Sequence, residues 1–143
     1  MTNRSVPTDT MLSHLAYRSV VEACDWLERV FGFVELYRYG QPVSGVQMHR
    51  GGAHIMLTSS QLNLESPAEA GCRTQMLTIL VADVAAHFAQ SRREGAKIWE
   101  ELHETVYGEM QYGAEDSEGH RWIFSQHVRD LSPEQWGAVS RCC

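Results

Sequence analysis

The feature that most constrains this chain is a repeat. Gly52-Ala53-His54-Ile55-Met56-Leu57 parallels Gly119-His120-Arg121-Trp122-Ile123-Phe124, glycine on glycine and apolar run on apolar run. Upstream, His14-Leu15-Ala16-Tyr17-Arg18-Ser19-Val20-Val21 parallels Met76-Leu77-Thr78-Ile79-Leu80-Val81-Ala82-Asp83, and a helical stretch follows each, ending at Gly32 or Gly95. The order strand, helix, glycine, strands thus occurs twice, and a repeat of this kind decides the fold more than local propensity does. A lone four-stranded βαβββ unit leaves a sheet face uncovered. The expectation is an α+β protein of two tandem βαβββ units forming a curved, half-open mixed sheet around a cleft, with the helices outside.

The boundaries follow from periodicity and turn chemistry. The first unit is read over residues 11–59, a polar linker with Pro67 and Gly71 over 60–73, the second unit over 74–130 and a C-terminal helix and tail over 131–143. Val20, Ala23, Cys24, Leu27 and Val30 recur at helical spacing, and Gly32 caps that helix. Val84, His87, Phe88 and Ser91 form the inward face of the second helix, with Asp83 as its N-cap. The stretch Tyr112–Phe124 reads as a hairpin around Asp116-Ser117-Glu118-Gly119: the Asp bonds backbone two residues on, and Gly takes positive φ. Ser132-Pro133-Glu134 is a helix start, with Trp136 as the anchor of the tail.

Composition excludes several function classes. A net charge of −6 argues against a nucleic-acid or anionic-membrane surface, which needs clustered Lys and Arg. No apolar run approaches the roughly 20 residues that span a bilayer, and Met1–Thr10 is polar, without the apolar core of a signal peptide. A cytoplasmic protein is expected. Of the four cysteines, Cys24 reads as core, while Cys72, Cys142 and Cys143 show neither a disulfide framework nor paired zinc spacing.

The duplicated βαβββ pattern resembles the vicinal oxygen chelate superfamily, which includes glyoxalase I, extradiol dioxygenases, fosfomycin-resistance enzymes and bleomycin-resistance proteins. The resemblance rests on the turn Asp116-Ser117-Glu118-Gly119, the strand His120-Arg121-Trp122-Ile123-Phe124 and the helix end Trp26-Leu27-Glu28-Arg29-Val30-Phe31-Gly32-Phe33, and spans about residues 12–130. It implies a homodimer. It also implies, for the metal-dependent members, a divalent ion such as Ni, Zn, Fe or Mn held by a His from the first strand and a Glu from the last strand of each unit. Those positions fall on His14, Met56, Met76 and Ile123, so only His14 matches. Thioethers suit softer ions than these, and no metal or other cofactor is expected.

The remaining candidates come from residue chemistry. His14 and His54 are candidate ligands or general bases on one strand face, and Glu109 and Glu115 are candidate acids or bases if buried. His120 reads as a turn-packing residue, and His49, His87, His103 and His127 as surface or helix-edge residues. Met56, Met76, Trp99, Tyr112 and Trp122 are expected to line an apolar, aromatic cleft for a small molecule, with Tyr107 nearby. The function expected is binding of a small, partly aromatic drug or metabolite by sequestration, as in the antibiotic-resistance branch of the superfamily. The alternatives are a metal-dependent lyase, isomerase or dioxygenase, a metal-free acid–base enzyme, or an interaction module with a vestigial cleft.

Overall fold

The computed structural model describes residues 11–141. The expectations for Met1–Thr10 and for Cys142-Cys143 lie outside the described residues. The described chain runs β1 (Ser13–Tyr17), α1 (Val20–Phe31), β2 (Val34–Tyr39), β3 (Gly45–Arg50), β4 (Ala53–Ser59), α2 (Pro67–Ala70), β5 (Met76–Leu80), α3 (Val84–Arg93), β6 (Lys97–Glu104), β7 (Glu109–Glu115) and β8 (Arg121–His127). A 3₁₀ turn, Pro133–Trp136, follows Ser132, so the expected C-terminal helix is a single tight turn. The linker is not structureless either, because Ser66 and Glu69 form a capping box that starts α2.

The fold is α+β and carries the βαβββ unit twice. The strand orders are β1-β4-β3-β2 and β5-β8-β7-β6, each with one parallel pair and two antiparallel pairs. The chain divides into two compact units. Unit 1 runs to Gln75 and takes in Asp116–His120; unit 2 holds Met76–Glu115 and the chain from Arg121.

In unit 1, period-two alternation sends Leu15, Tyr17, Val46, Met48, Ile55 and Leu57 to the face that α1 covers. α1 contributes Val20, Ala23, Cys24, Leu27, Val30 and Phe31. Each large apolar side chain so buried stabilises by about 1.5–3 kcal/mol. The helix begins where the Ser19 hydroxyl accepts from the Glu22 amide and stops at Gly32, whose φ of 77° gives the left-handed cap. His14, Ala16, Gln47, His54, Met56 and Thr58 alternate onto the opposite face, where Ala16, Gln47 and Met56 are buried.

Asp116–His120 ties the start of α1 in place. The Asp116 carboxylate accepts from the amides of Glu118 and His120 (3.0 and 3.1 Å) and from the buried Tyr17 hydroxyl (2.5 Å). The Glu118 carboxylate accepts from the amides of Arg18 and Ser19 (2.7 and 3.1 Å), which places negative charge at the helix N-terminus. The expected bond from Asp116 to the backbone two residues on is present.

In unit 2 the covered layer is aromatic. Tyr112, Trp122 and Phe124 are buried beneath α3, and Val84, His87 and Ser91 of that helix are buried with them. The Tyr112 hydroxyl lies 2.5 Å from His87 Nδ1 and 2.7 Å from Ser91 Oγ. His87, which helical spacing put on the inward face, is thus a buried hydrogen-bonding group and not a surface or helix-edge residue.

The repeat also corrects one equivalence. Ser19 and Asp83 are the N-caps of α1 and α3, and counting back from them places His14 opposite Thr78, not Met76. The register agrees, since His14 pairs with Met56 and Thr78 with Ile123, whereas Met76 pairs with Arg121. A slip of two residues keeps every side chain on its face, so the hydrophobic pattern alone does not reveal it.

Candidate functional site

A cavity of about 360 Å³ opens within unit 1. Its wall combines the open face of β1 (His14, Ala16), the segment from Asn63 to Gln75 that includes α2, and His120. Polar groups from Asn63, Glu65, Thr74 and Gln75 alternate with Leu64, Pro67 and Ala70, and among the described residues no Lys or Arg lines it. That volume and mixed lining fall in the range of small-molecule sites.

Two imidazoles face this space. His14 is exposed, and its Nδ1 lies 3.3 Å from the Thr58 hydroxyl on the neighbouring strand. His120 is 7% exposed, its ring set edge-on against Tyr17, and its Nε2 is 2.7 Å from the Ala16 carbonyl. A carbonyl only accepts, so Nε2 carries the proton; in the neutral ring Nδ1 is then the lone-pair nitrogen. Burial, reinforced by the negative charge of Asp116, pushes the Tyr17 phenol well above its ordinary range, which keeps it a donor to Asp116.

The structure separates the other sequence-derived candidates from this cavity. Met56 is buried beside His14 in register but is not part of the cavity wall. The His54 ring lies nearly parallel to that of His49, 5.6 Å away, and its buried Nδ1 has no hydrogen-bond partner among the described residues. Met76 is exposed on the edge strand of unit 2. Trp99 lies on the open face of that sheet, over Gly113, where a Cβ would approach the indole to 2.4 Å; the Arg121 guanidinium sits 4.8 Å from its ring centre.

Tyr112 and Trp122, expected in the ligand cleft, are instead fully buried in the layer beneath α3. Strand alternation put them on the covered face, where aromatic bulk serves packing. Glu109 is occupied on both oxygens, by the Ser125 hydroxyl (3.1 Å) and His127 Nδ1 (2.7 Å), so it acts as a local tie. Donation to the carboxylates of Asp130 and then Glu109 raises the His127 pKa above its usual value. Glu115, buried, is held between Lys97 and Arg121 at 3.5 and 3.3 Å.

The ligand positions of the resemblance do not fit a hard or borderline divalent ion. Unit 1 offers His14 and Met56 there, and unit 2 offers Thr78 and Ile123: an imidazole and a thioether in one, a hydroxyl and an aliphatic chain in the other. Cys24, Glu28 and Glu35 bring potential ligand atoms within 4.8 Å of one another. Glu35, however, is already held by Arg38 through bonds of 2.6 and 2.8 Å, and burial followed by the Glu35 charge pushes the Cys24 thiol up to about 12.

His120 is the residue that sequence reasoning missed. Its neighbours come from β1, far away in the chain. The one local signal was the Asp116 turn, which fixes where the following residue must point.

Fold and site together define a duplicated βαβββ protein with a small-molecule-sized cavity. The sequence profile of the Glyoxalase/Bleomycin resistance protein/Dioxygenase superfamily matches residues 11–124. The chain belongs to that superfamily, as the repeat and its turn implied. Among solved structures, TioX from Micromonospora sp. ML1 is similar at 31% identity, with a TM-score of 0.68, covering 87% of this chain and 100% of that one. A glyoxalase/bleomycin resistance protein/dioxygenase from Alicyclobacillus acidocaldarius shares the fold at 14% identity and a TM-score of 0.68, over 88% of this chain and 96% of that one. An uncharacterised protein of Mycobacterium tuberculosis is 25% identical over 131 residues, 85% of this chain and 76% of its own. No helix among the described residues is long and apolar enough to cross a membrane.

Proposed function

We propose that this protein binds a small, partly aromatic molecule and acts by sequestering it, without a metal. The observation that carries this reading is the cavity of unit 1, where His14 and His120 stand among apolar and amide side chains. The mismatched donor set supports a metal-free mode, and superfamily membership supports a small-molecule ligand. Antibiotic resistance, a cytoplasmic location and a homodimer belong to the same reading. Sequestration requires no chemistry beyond affinity, because lowering the free ligand is itself protective.

A second reading, a metal-free acid–base enzyme, is favoured by one observation: two imidazoles line one cavity, each held at one nitrogen. The test is a melting-temperature screen of aromatic drugs and metabolites against EDTA-treated protein. Binding at about 100 times Kd adds about 2.7 kcal/mol of stability. The expected outcome is a stabilising compound that is recovered unchanged and loses its effect in His14→Ala. Stabilisation that appears only after Ni²⁺, Zn²⁺, Fe²⁺ or Mn²⁺ is added overturns the metal-free reading, and turnover of the compound selects the enzyme.

A further inference from the structure

We infer that the unit 1 cavity selects an uncharged ligand carrying a hydrogen-bond donor, a phenol or an N–H heterocycle, which it reads through Nδ1 of His120. The inference rests on the small-molecule reading above and adds the chemistry that the site accepts. His120 is more than nine-tenths buried, yet it lines the cavity. Its backbone amide is given to Asp116 and its Nε2–H to the Ala16 carbonyl. Among the described residues no side chain or backbone group bonds Nδ1. The Tyr17 edge contact fixes the ring plane.

An acceptor on a ring held in one tautomer is costly to leave unmatched once a ligand displaces the water at it, so a ligand that presents a donor gains against one that does not. The wall fixes the ligand's charge as well. Among the described residues no Lys or Arg lines the wall, the nearby Arg73 guanidinium is engaged by the Gly119 carbonyl (2.7 Å), and the one carboxylate in the wall, Glu65, is exposed. Phenol is favoured over phenolate for that reason. The apolar share of the wall, Leu64, Pro67, Ala70 and Ala16, suits a flat ring behind the donor.

The test compares phenol with anisole, its methyl ether, which keeps the ring and removes the donor. Binding is followed on the full chain by long-range ¹H–¹⁵N NMR of the histidine rings at pH 7.5. The expected result is at least about tenfold tighter binding of phenol than anisole, with the largest shift at His120 Nδ1. In His120→Phe the preference for phenol should vanish while a residual affinity common to both rings remains. The wild-type comparison stands by itself if that variant does not fold. Equal binding of phenol and anisole, or a phenol shift confined to other histidines, overturns the inference and leaves the small-molecule reading in place. Failure of both rings to bind overturns the inference, and the absence of any hit in the melting screen separately removes the broader reading.

Discussion

Leu27 of α1 is fully buried, and counting from the two N-caps its counterpart in α3 is Ser91. The sheets invert that difference. Val46 pairs with Leu57 in unit 1, and Tyr112 pairs with Phe124 at the corresponding place in unit 2. At these repeat-equivalent positions unit 1 has a large helix residue and a small strand residue, and unit 2 has a small helix residue and a large strand residue. The inverted arrangement also carries polar atoms, because the Tyr112 hydroxyl meets Ser91 and His87. The two units bury their helices by different divisions of volume, which close packing permits as long as the sum is kept and polar atoms find partners.

The largest effect should come from giving unit 1 the helix residue of unit 2 without its strand residue. Leu27→Ser should lower stability by about 4 kcal/mol, through a cavity and an unpartnered hydroxyl. Urea unfolding followed by circular dichroism measures it. A cost below about 1 kcal/mol would mean that the layer over Val46 is not close-packed.

Swapping the unit 2 pair sharpens the comparison. Ser91→Leu should cost about 2 kcal/mol by overpacking and Tyr112→Val about 3 kcal/mol by a void. The double variant should fall short of their sum by at least about 1 kcal/mol, since each change relieves the other. Strict additivity in a double-mutant cycle would show that the two positions do not share one space.

The smallest effect is a difference in alkaline response. Burial holds the Cys24 thiol at about 12, up from 9.0, and raises the Tyr17 phenol well above 10.0, both in unit 1. The folded chain keeps these protons where the unfolded chain has lost them. Their stabilisation is therefore complete below about pH 9 and declines as pH rises toward 12. The urea midpoint should fall between pH 8 and pH 10.5, and Cys24→Ala should flatten the slope that begins near pH 9. An unchanged slope in that variant would remove Cys24 from the account.

Most of the fold was legible in the sequence because its signals are local. α1 falls within a residue of its periodic stretch, and α3 starts at its expected N-cap, Asp83. His14 was legible as a candidate because a lone imidazole among apolar strand residues stands out. Tyr112 and Trp122 were misplaced because an aromatic strand residue looks the same whether its face is open or covered. The Met76 equivalence slipped because two residues along a strand is a full repeat of its side-chain pattern.

The sequence by itself determined the duplication, the alternation within each sheet and the caps at which the helices start and stop. These depend on neighbours a few residues away, and backbone geometry transmits them directly. Only the tertiary structure decided that Asp116–His120 packs with unit 1, that His120 is pinned to Ala16, and that His14 and His120 share a cavity with the segment around α2. Those facts join residues from β1, the linker and the second hairpin. Their energies come from buried hydrogen bonds and packing across long stretches of chain, for which no local pattern exists.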